Sequence, residues 1–247
     1  MNTVGIIPAR YASTRFPGKP LAIIAGKPMI QHVYERVSHI AALSHAVVAT
    51  DDQRIFDCVQ GFGGKVVMTG THHKSGTDRC GEVIKKMLAT GTKPDVVVNI
   101  QGDEPFVEHS QIEQLIHCFD DNAVQIATLK KRITTPEELF SPNVVKVVTD
   151  KCGHALYFSR FAIPFLRGVQ QPQWLANNTF YKHIGIYAYR TDVLLQIVVL
   201  EQSELEKSES LEQLRWLDNG YRIRVAETQH ENIAIDTPED LFKLKNI

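Results

Sequence analysis

Three features of the 247-residue chain predict an α/β fold with a doubly wound, mixed, mostly parallel sheet and a smaller inserted subdomain. Short apolar runs alternate with amphipathic stretches as far as residue 120. The runs are continuous, not alternating with polar residues, as expected of strands covered on both faces. Beyond that point the pattern changes to hairpin-like and more polar segments, as an insertion would require.

The elements follow in order. "VGIIPA" reads as a buried strand, and from Pro28 the residues Met29, Val33, Val37 and Ile40 recur at helical spacing. "HAVVAT" (45–50) is a second strand running into Asp51 and Asp52; Ile55, Cys58 and Val59 mark a short helix. "KVVMT" (65–69) is a third strand, followed by a helix over 76–89. "DVVVNI" (95–100) is a fourth, followed by a helix over 110–119. In the second half, 144–161 predicts a hairpin around Lys151-Cys152-Gly153. Residues 170–178, with Gln, Pro and Asn, read as a surface excursion. "YKHIGIYAYR" (181–190) is a strand, 191–200 a helix, and 206–219 a polar helix stopped by Asn219-Gly220. "YRIRVAE" is a late strand, and "DTPEDLFKLKNI" a closing helix with Thr237 as N-cap, Pro238 at N1 and Asp240 at N3. No linker, repeat or low-complexity segment divides the chain, which favours one mixed α/β unit over 1–247.

Composition narrows the function classes. Hydrophobic residues at 43% and charged residues at 22%, with net charge −1, argue for a soluble globular protein and against disorder. A pI near 6.8 gives no global attraction to nucleic acid or to an anionic membrane surface, so any basic site is local. Cys58, Cys80, Cys118 and Cys152 form no C-x-x-C pair, which fits a reducing cytoplasm. The N-terminus lacks the charged start of a signal peptide, and no apolar run approaches the roughly 20 residues of a membrane span. Asn177-Asn178-Thr179 matches the glycosylation pattern only formally.

Ligands of open α/β sheets bind beyond the carboxyl ends of the strands. Three segments fall there: Arg10 to Lys19, "KSGTDR" (74–79) and "QGDEP" (101–105). The first concentrates Arg10, Arg15 and Lys19 among Pro8, Pro17, Gly18 and Pro20. Guanidinium forks and a mobile ammonium suit phosphate oxygens, and glycine allows close backbone approach. The same segment also reads as a solvated basic loop braced by prolines. It is neither a Walker A loop nor a G-x-G-x-x-G turn. In "NIQGDEP" the strand end delivers Asp103 and Glu104, natural Mg²⁺ ligands beside a polyphosphate, or simply turn residues in solvent. Asp236 precedes the closing helix, where its charge suits the helix dipole, and sequence grammar alone makes it no ligand. His72, His73, His183 and His230 lack a zinc spacing such as H-E-x-x-H, and no G-x-S-x-G elbow indicates a hydrolase.

Taken together, "IPARYASTRFPGKPL", "VATDD", "SGTDR", "VNIQGDEP", "NVVKVV", "ALYFSR", "HIGIYAYR", "SLEQLR" and "DTPEDL" resemble the CMP-Kdo synthetases, the 3-deoxy-manno-octulosonate cytidylyltransferases. The resemblance spans nearly the whole chain and implies the nucleotide-diphospho-sugar transferase fold. The opening motif is shared loosely with CMP-sialate synthetases; "ALYFSR", "HIGIYAYR" and "SLEQLR" favour the Kdo branch. It implies a CTP side built from Ala9, Arg10, Arg15, Lys19, Ser75 and Arg79. Gln101, Arg160, His183, Tyr187, Glu209 and Gln213 match the pocket for the acidic sugar. Asp103 and Asp236 match the magnesium carboxylates, and Arg10, Lys19, Asp103 and Asp236 form the implied catalytic set. The implied division is 1–122 for CTP, 123–235 for sugar and dimer contact, and 236–247 as closing helix.

The implied activity is Mg²⁺-dependent joining of CTP and Kdo into CMP-Kdo and pyrophosphate for lipopolysaccharide synthesis, by a cytoplasmic homodimer with no nucleic-acid or membrane partner. The chain departs from the family at "IPFLRG", where Trp often follows Ile-Pro, at "AIDTPEDL", and over 165–178. The alternatives are a cytidylyltransferase for sialate or amino-Kdo and a non-catalytic nucleotide-binding regulator. A glycosyltransferase would usually carry D-x-D, where this chain has D-E.

Overall fold

The computed structural model describes residues 1–12, 16–231, 235, 237 and 239–241. Four strands with β-branched or apolar runs lie side by side in parallel: β1 (Thr3–Ala9), β2 (His45–Thr50), β3 (Val66–Met68) and β4 (Val96–Asn99). Their spatial order is β4-β1-β2-β3, so the chain winds outward in one direction and then returns to the centre. Beyond β4 the sheet continues through β8 (Tyr181–Arg190), β5 (Ile126–Arg132) and β9 (Ile223–Glu227). A hairpin, β6 (Lys146–Thr149) and β7 (Ala155–Ser159), joins the outer end of β8 through Lys146 opposite Lys182.

Side-chain alternation along the parallel strands serves two cores. Ile7 and Ala9 face Ile30, Val33 and Val37 of α1 (Met29–Ser38), Ile55 and Val59 of α2 (Gln53–Gly61), and Ile112 and Leu115 of α4 (His109–His117). Val4 and Ile6 face the opposite way. They pack with Cys80, Val83 and Ile84 of α3 (Gly76–Ala89), Leu194 of α7 (Thr191–Ile197) and Trp216 of α9 (Gln213–Asp218). A strand buried on both faces cannot tolerate a polar period, which is why these runs read as continuous. Ile133, Leu139 of α5 (Pro136–Phe140), Ala162, Trp174 of α6 (Trp174–Asn177) and Phe180 make a third, small core under the hairpin. This is the inserted subdomain.

One expected element takes another form, and one strand is unforeseen. The helix expected over 206–219 is two, α8 (Glu204–Glu209) and α9, separated at Ser210, whose φ of 52° is left-handed and ends the first. β5 was not expected, because the charged run Lys130, Lys131 and Arg132 hides the short apolar run before it. The residue-219 stop holds, with Gly220 at φ 80°, and so does the 153 turn, with Gly153 at φ 78°. At the closing helix the Thr237 amide donates to the Asp240 carboxylate at 3.0 Å; 242–247 lie outside the described residues.

β8 is the element on which the site is hung. It runs antiparallel to both β4 and β5, and its register shifts between Ile184 and Tyr187, leaving Gly185 and Ile186 without partners on β5. Side chains satisfy the carbonyls exposed by this bulge. Thr128 Oγ1 lies 2.8 Å from the Ile186 oxygen and 3.2 Å from that of Ile184. A hydroxyl has one proton to donate, so the 2.9 Å contact between Thr128 Oγ1 and His183 Nε2 is a bond donated by the imidazole. Part of the His183 surface stays accessible, yet the surrounding protein, with Phe158 5.0 Å away edge-on, pushes its pKa down to about 3. A neutral His183 therefore stabilises the fold above the ordinary histidine pKa of about 6.5, and this is lost as pH falls toward 3 because the unfolded chain takes up the proton first. In urea titrations between pH 6.5 and 4, wild type is expected to lose stability more steeply than His183→Gln, by up to about 1.4 kcal/mol per pH unit. Parallel curves would show that this histidine is not held neutral.

Candidate active site

The register sets where the loops emerge. Ala9 pairs with Thr50, Thr50 with Met68, and Ile6 with Asn99, so β1 to β4 all end along one edge of the sheet. Tyr187 on β8 lies opposite Asn99, and because β8 runs the other way, His183 projects beyond that same edge. Loops 10–19, 70–75 and 101–105 therefore meet the outer half of β8.

The basic loop leaves β1 at Ala9, which is buried, and its return is pinned by Gly18. That residue has φ 72°, its amide donates to the Tyr11 carbonyl at 2.9 Å, and a Cβ there would come within 3.0 Å of the Tyr11 ring. The Arg54 guanidinium covers the Tyr11 ring, 3.3 Å from its centroid. Lys19 then opens a single 3₁₀ turn with Pro20 and sends its ammonium to Asp103 Oδ2, 2.6 Å away. The lysine side chain is 12% exposed and the carboxylate 30%, so the pair sits in a cleft and not on open surface. Asp103 is delivered there by Gly102, where a Cβ would fall 2.6 Å from the Pro8 carbonyl oxygen; only glycine lets the two strand-end loops approach this closely. The Ile235 amide donates to the Asp103 carbonyl at 3.0 Å. Arg15 and Asp236 lie outside the described residues.

Arg10 ties the first loop to the second. Its Nη2 donates to the carbonyls of His73 and, at 3.3 Å, Ser75. Burial and the nearby Arg79 push the Arg10 guanidinium down, while Asp51 and Asp78 act the other way. Ser75 is the N-cap of α3 in a reciprocal capping box: the Asp78 amide donates to Ser75 Oγ and the Ser75 amide to Asp78 Oδ2, each at 3.1 Å. Arg79 is fully buried, its guanidinium donating to Asp51 Oδ2 at 2.7 Å and to Thr69 Oγ1 at 2.5 Å. It stands behind the loop, holding the ends of β2 and β3 together.

The residues expected on the sugar side divide into two groups. Gln101 donates to the bulge carbonyl of Gly185 at 2.8 Å, close to Tyr187 and His183, whose rings lie 5.2 Å apart. Burial pushes the Tyr187 phenol well above its ordinary range, and Trp216 meets its ring edge-on. Arg160 and Glu209 bind each other and the main chain. The Arg160 amide donates to Glu209 Oε2 at 2.8 Å, its Nε to the Glu209 carbonyl at 2.6 Å, and its terminal nitrogens to the carbonyls of Pro142 and Ser210. Lys146, fully buried, anchors the same corner with bonds to the carbonyls of Ser141, Val144 and Arg160. Three charge-assisted bonds at roughly 1.5–3 kcal/mol each can offset the several kcal/mol of burying one ammonium. Gln213 is buried on α9.

Two further residues sit at the junction. Glu212 accepts from Thr77 Oγ1 at 2.8 Å, and burial raises its pKa. Asn99 ends β4 beside Gly76, with its Oδ1 buried and no hydrogen-bond partner among the described residues. Both lie inside recognisable strings, "SLEQLR" and "VNIQGDEP", but nothing in those strings marks these positions as buried.

Sequence and structure comparisons identify the family. A cytidylyltransferase family model matches residues 4–225. The 3-deoxy-manno-octulosonate cytidylyltransferase of Phocaeicola vulgatus is 59% identical over 246 residues, covering 98% of this chain and 96% of its own. That of Geobacter sulfurreducens is 52% identical over 254 residues, covering 99% and 98%. A solved structure of CMP:2-keto-3-deoxy-manno-octonic acid synthetase complexed with CTP matches with a TM-score of 0.91 at 44% identity, over 100% of this chain and 98% of that one. A 4-diphosphocytidyl-2C-methyl-D-erythritol synthase, TM-score 0.64 at 14% identity, shares the fold alone. Matched along its whole length at these identities, the chain belongs to the 3-deoxy-manno-octulosonate cytidylyltransferases, the CMP-Kdo synthetases.

Proposed function

We propose that this chain joins CTP to Kdo, giving CMP-Kdo and pyrophosphate, and so supplies an activated sugar for lipopolysaccharide synthesis. The observation that carries the reading is the Lys19–Asp103 pair where the basic and acidic strand-end loops meet, in a chain matched end to end by Kdo cytidylyltransferases. The anomeric hydroxyl of the sugar attacks the α-phosphorus and pyrophosphate departs. Both reactants are anionic, and two charges about 4 Å apart repel by roughly 4 kcal/mol at an effective dielectric near 20.

Arg10, Arg15 and Lys19 answer that repulsion on the triphosphate side. Arg10 is preoriented by the carbonyls of His73 and Ser75, so little side-chain freedom is lost on binding. Ala9 ends the strand beneath them, Ser75 stands at the α3 N-terminus for the cytidine side, and Arg79 acts from behind as a brace. Gln101, His183 and Tyr187 face the sugar, with Arg160, Glu209 and Gln213 shaping its far wall. Donor counting leaves His183 Nδ1 as an acceptor suited to a sugar hydroxyl.

A divalent ion fits the donor set. Asp103 is a partly exposed carboxylate, and Mg²⁺ takes one or two such ligands together with substrate phosphates. Asp103, with Asp236, would hold it. When bound, it would supply charge neutralisation at the phosphates and polarisation of the sugar oxygens.

Residues 1–122 serve mainly CTP, 123–235 mainly the sugar and the dimer contact, and 236–247 close the unit. A homodimer is supported by Leu156, Phe161 and Phe165, which are 62%, 69% and 68% exposed around the β6–β7 hairpin. No helix among the described residues is long and apolar enough to cross a membrane, and a cytoplasmic location fits four cysteines that are all free thiols.

Pyrophosphate release from CTP, with Mg²⁺ and a panel of sugar acids, tests the assignment. Turnover with Kdo is expected; silence with Kdo and turnover with sialate would reverse it. Asp103→Asn is expected to lower Mg²⁺-dependent kcat by at least about 10²-fold with unchanged circular dichroism, and wild-type activity would remove the metal role. Lys19→Ala is expected to weaken the use of CTP, with kcat/KM for CTP down by about 10²-fold and KM for Kdo little moved; an unchanged CTP dependence would show that Lys19 serves Asp103 and not the nucleotide.

A further inference from the structure

Between the β3–α3 loop, α3 and the α7–α9 segment lies a cavity of about 850 Å³ that is lined by neither Lys19 nor Asp103 but shares Ser75 with the nucleotide side. Its wall carries His72, His73 and Glu82, and one ligand atom from each lies within 4.8 Å of the other two. Local packing brings them together. Gly70 has no side chain, and the His72 ring occupies the space a Cβ would need, with its Cε1 and Nδ1 2.4 and 2.5 Å from that position. The His72 and His73 rings face each other with centroids 4.3 Å apart. Glu82 reaches up from α3, and its Oε2 accepts from the Gly70 amide at 2.9 Å and contacts His73 Nε2, while Oε1 takes Lys86 at 2.8 Å.

We propose that His72, His73 and Glu82 bind a first-row divalent transition ion of the Zn²⁺ class, independently of the ion at the nucleotide site. Two imidazoles and one carboxylate are the donor set of a three-ligand zinc site, with water in the fourth position. Nitrogen donors also discriminate against Mg²⁺, which takes oxygens. Tetrahedral zinc needs donors about 3.3 Å apart, from bonds of about 2.0–2.1 Å. The exposed His72 is the member free to close that gap. His73 Nε2 gives up its contact with Glu82 and carries its proton on Nδ1 instead, so no net proton need be released. The site reaches the chemistry through the main chain: the carbonyl of His73 holds Arg10. Ligation would fix the loop from which Arg10 is oriented.

Tag-free protein in excess Mg²⁺, titrated with Co²⁺ and followed by its visible d–d absorption, and with Zn²⁺ by calorimetry, tests this. Wild type is expected to take up one ion per chain with a tetrahedral-type spectrum. His72→Ala, at an exposed position where the fold is not at stake, is expected to bind at least about tenfold more weakly and lose that spectrum. A wild type with no such spectrum, or a His72→Ala protein that binds as tightly, overturns the site.

Discussion

The bulge in β8 is the constraint on which the arrangement around the outer half of that strand depends. A strand pairing with neighbours on both sides normally consumes its own carbonyls in the ladder. Here the register slip frees those of Ile184, Gly185 and Ile186, and buried carbonyls must find donors. Thr128 serves Ile186, which obliges His183 to donate to Thr128; Gln101 serves Gly185, which draws the acidic loop across to β8. One irregularity thus fixes a tautomer, a glutamine rotamer and the distance between the two halves of the site. An unbroken ladder would leave Thr128 and Gln101 without these partners.

In the strand-end loops assigned to CTP by the proposed function the organising force is electrostatic, and three described cations are held in advance. Arg10 rests on two carbonyls, Arg79 on Asp51 and Thr69, and Lys19 on Asp103. The degree of burial separates their roles. Arg79 is wholly enclosed, where losing Asp51 would leave an uncompensated buried charge, so its pairing is structural. Lys19 and Asp103 keep 12% and 30% exposure, so both side chains still reach the cleft, where the proposed function has them exchange each other for phosphate and metal.

Much of this was legible in the sequence, and the failures have physical causes. β1 to β4 were readable because burial on both faces leaves no alternation to misinterpret, and the α3 start because Ser75 and Asp78 have capping-box spacing. β5 was not, since its outer end carries Lys130, Lys131 and Arg132. The break at Ser210 was hidden because a serine rarely takes the left-handed conformation that ends α8. Composition alone left the opening loop between solvated turn and phosphate cradle, and Asp236 as a helix-start residue; family resemblance gave both a role. Burial is what no motif encodes. Arg79 in "SGTDR" and Arg160 in "ALYFSR" look alike as strings, but one is sealed between strand ends and the other is spread over loop carbonyls. The spacing of His72, His73 and Glu82 matches no metal pattern, because a loop and a helix, not one helix, bring them together.

The two sides differ in kind, and the difference suits the two reactants. Under the proposed function the triphosphate would meet fixed positive charge, which acts at a distance and tolerates motion of a flexible polyanion. The sugar would meet a histidine held neutral and a glutamine locked by a backbone bond, backed by a buried phenol whose ionisation burial opposes. Such groups act only at hydrogen-bond range and in one direction each, so they read the placement of hydroxyls and not the charge. Arg160, the cation expected on that side, has its guanidinium committed to main-chain carbonyls. A neutral reading surface also avoids setting cations against those that hold the triphosphate. It leaves the sugar acid's charge to be met at the junction, where Lys19 and Asp103 already stand 2.6 Å apart and the two halves touch.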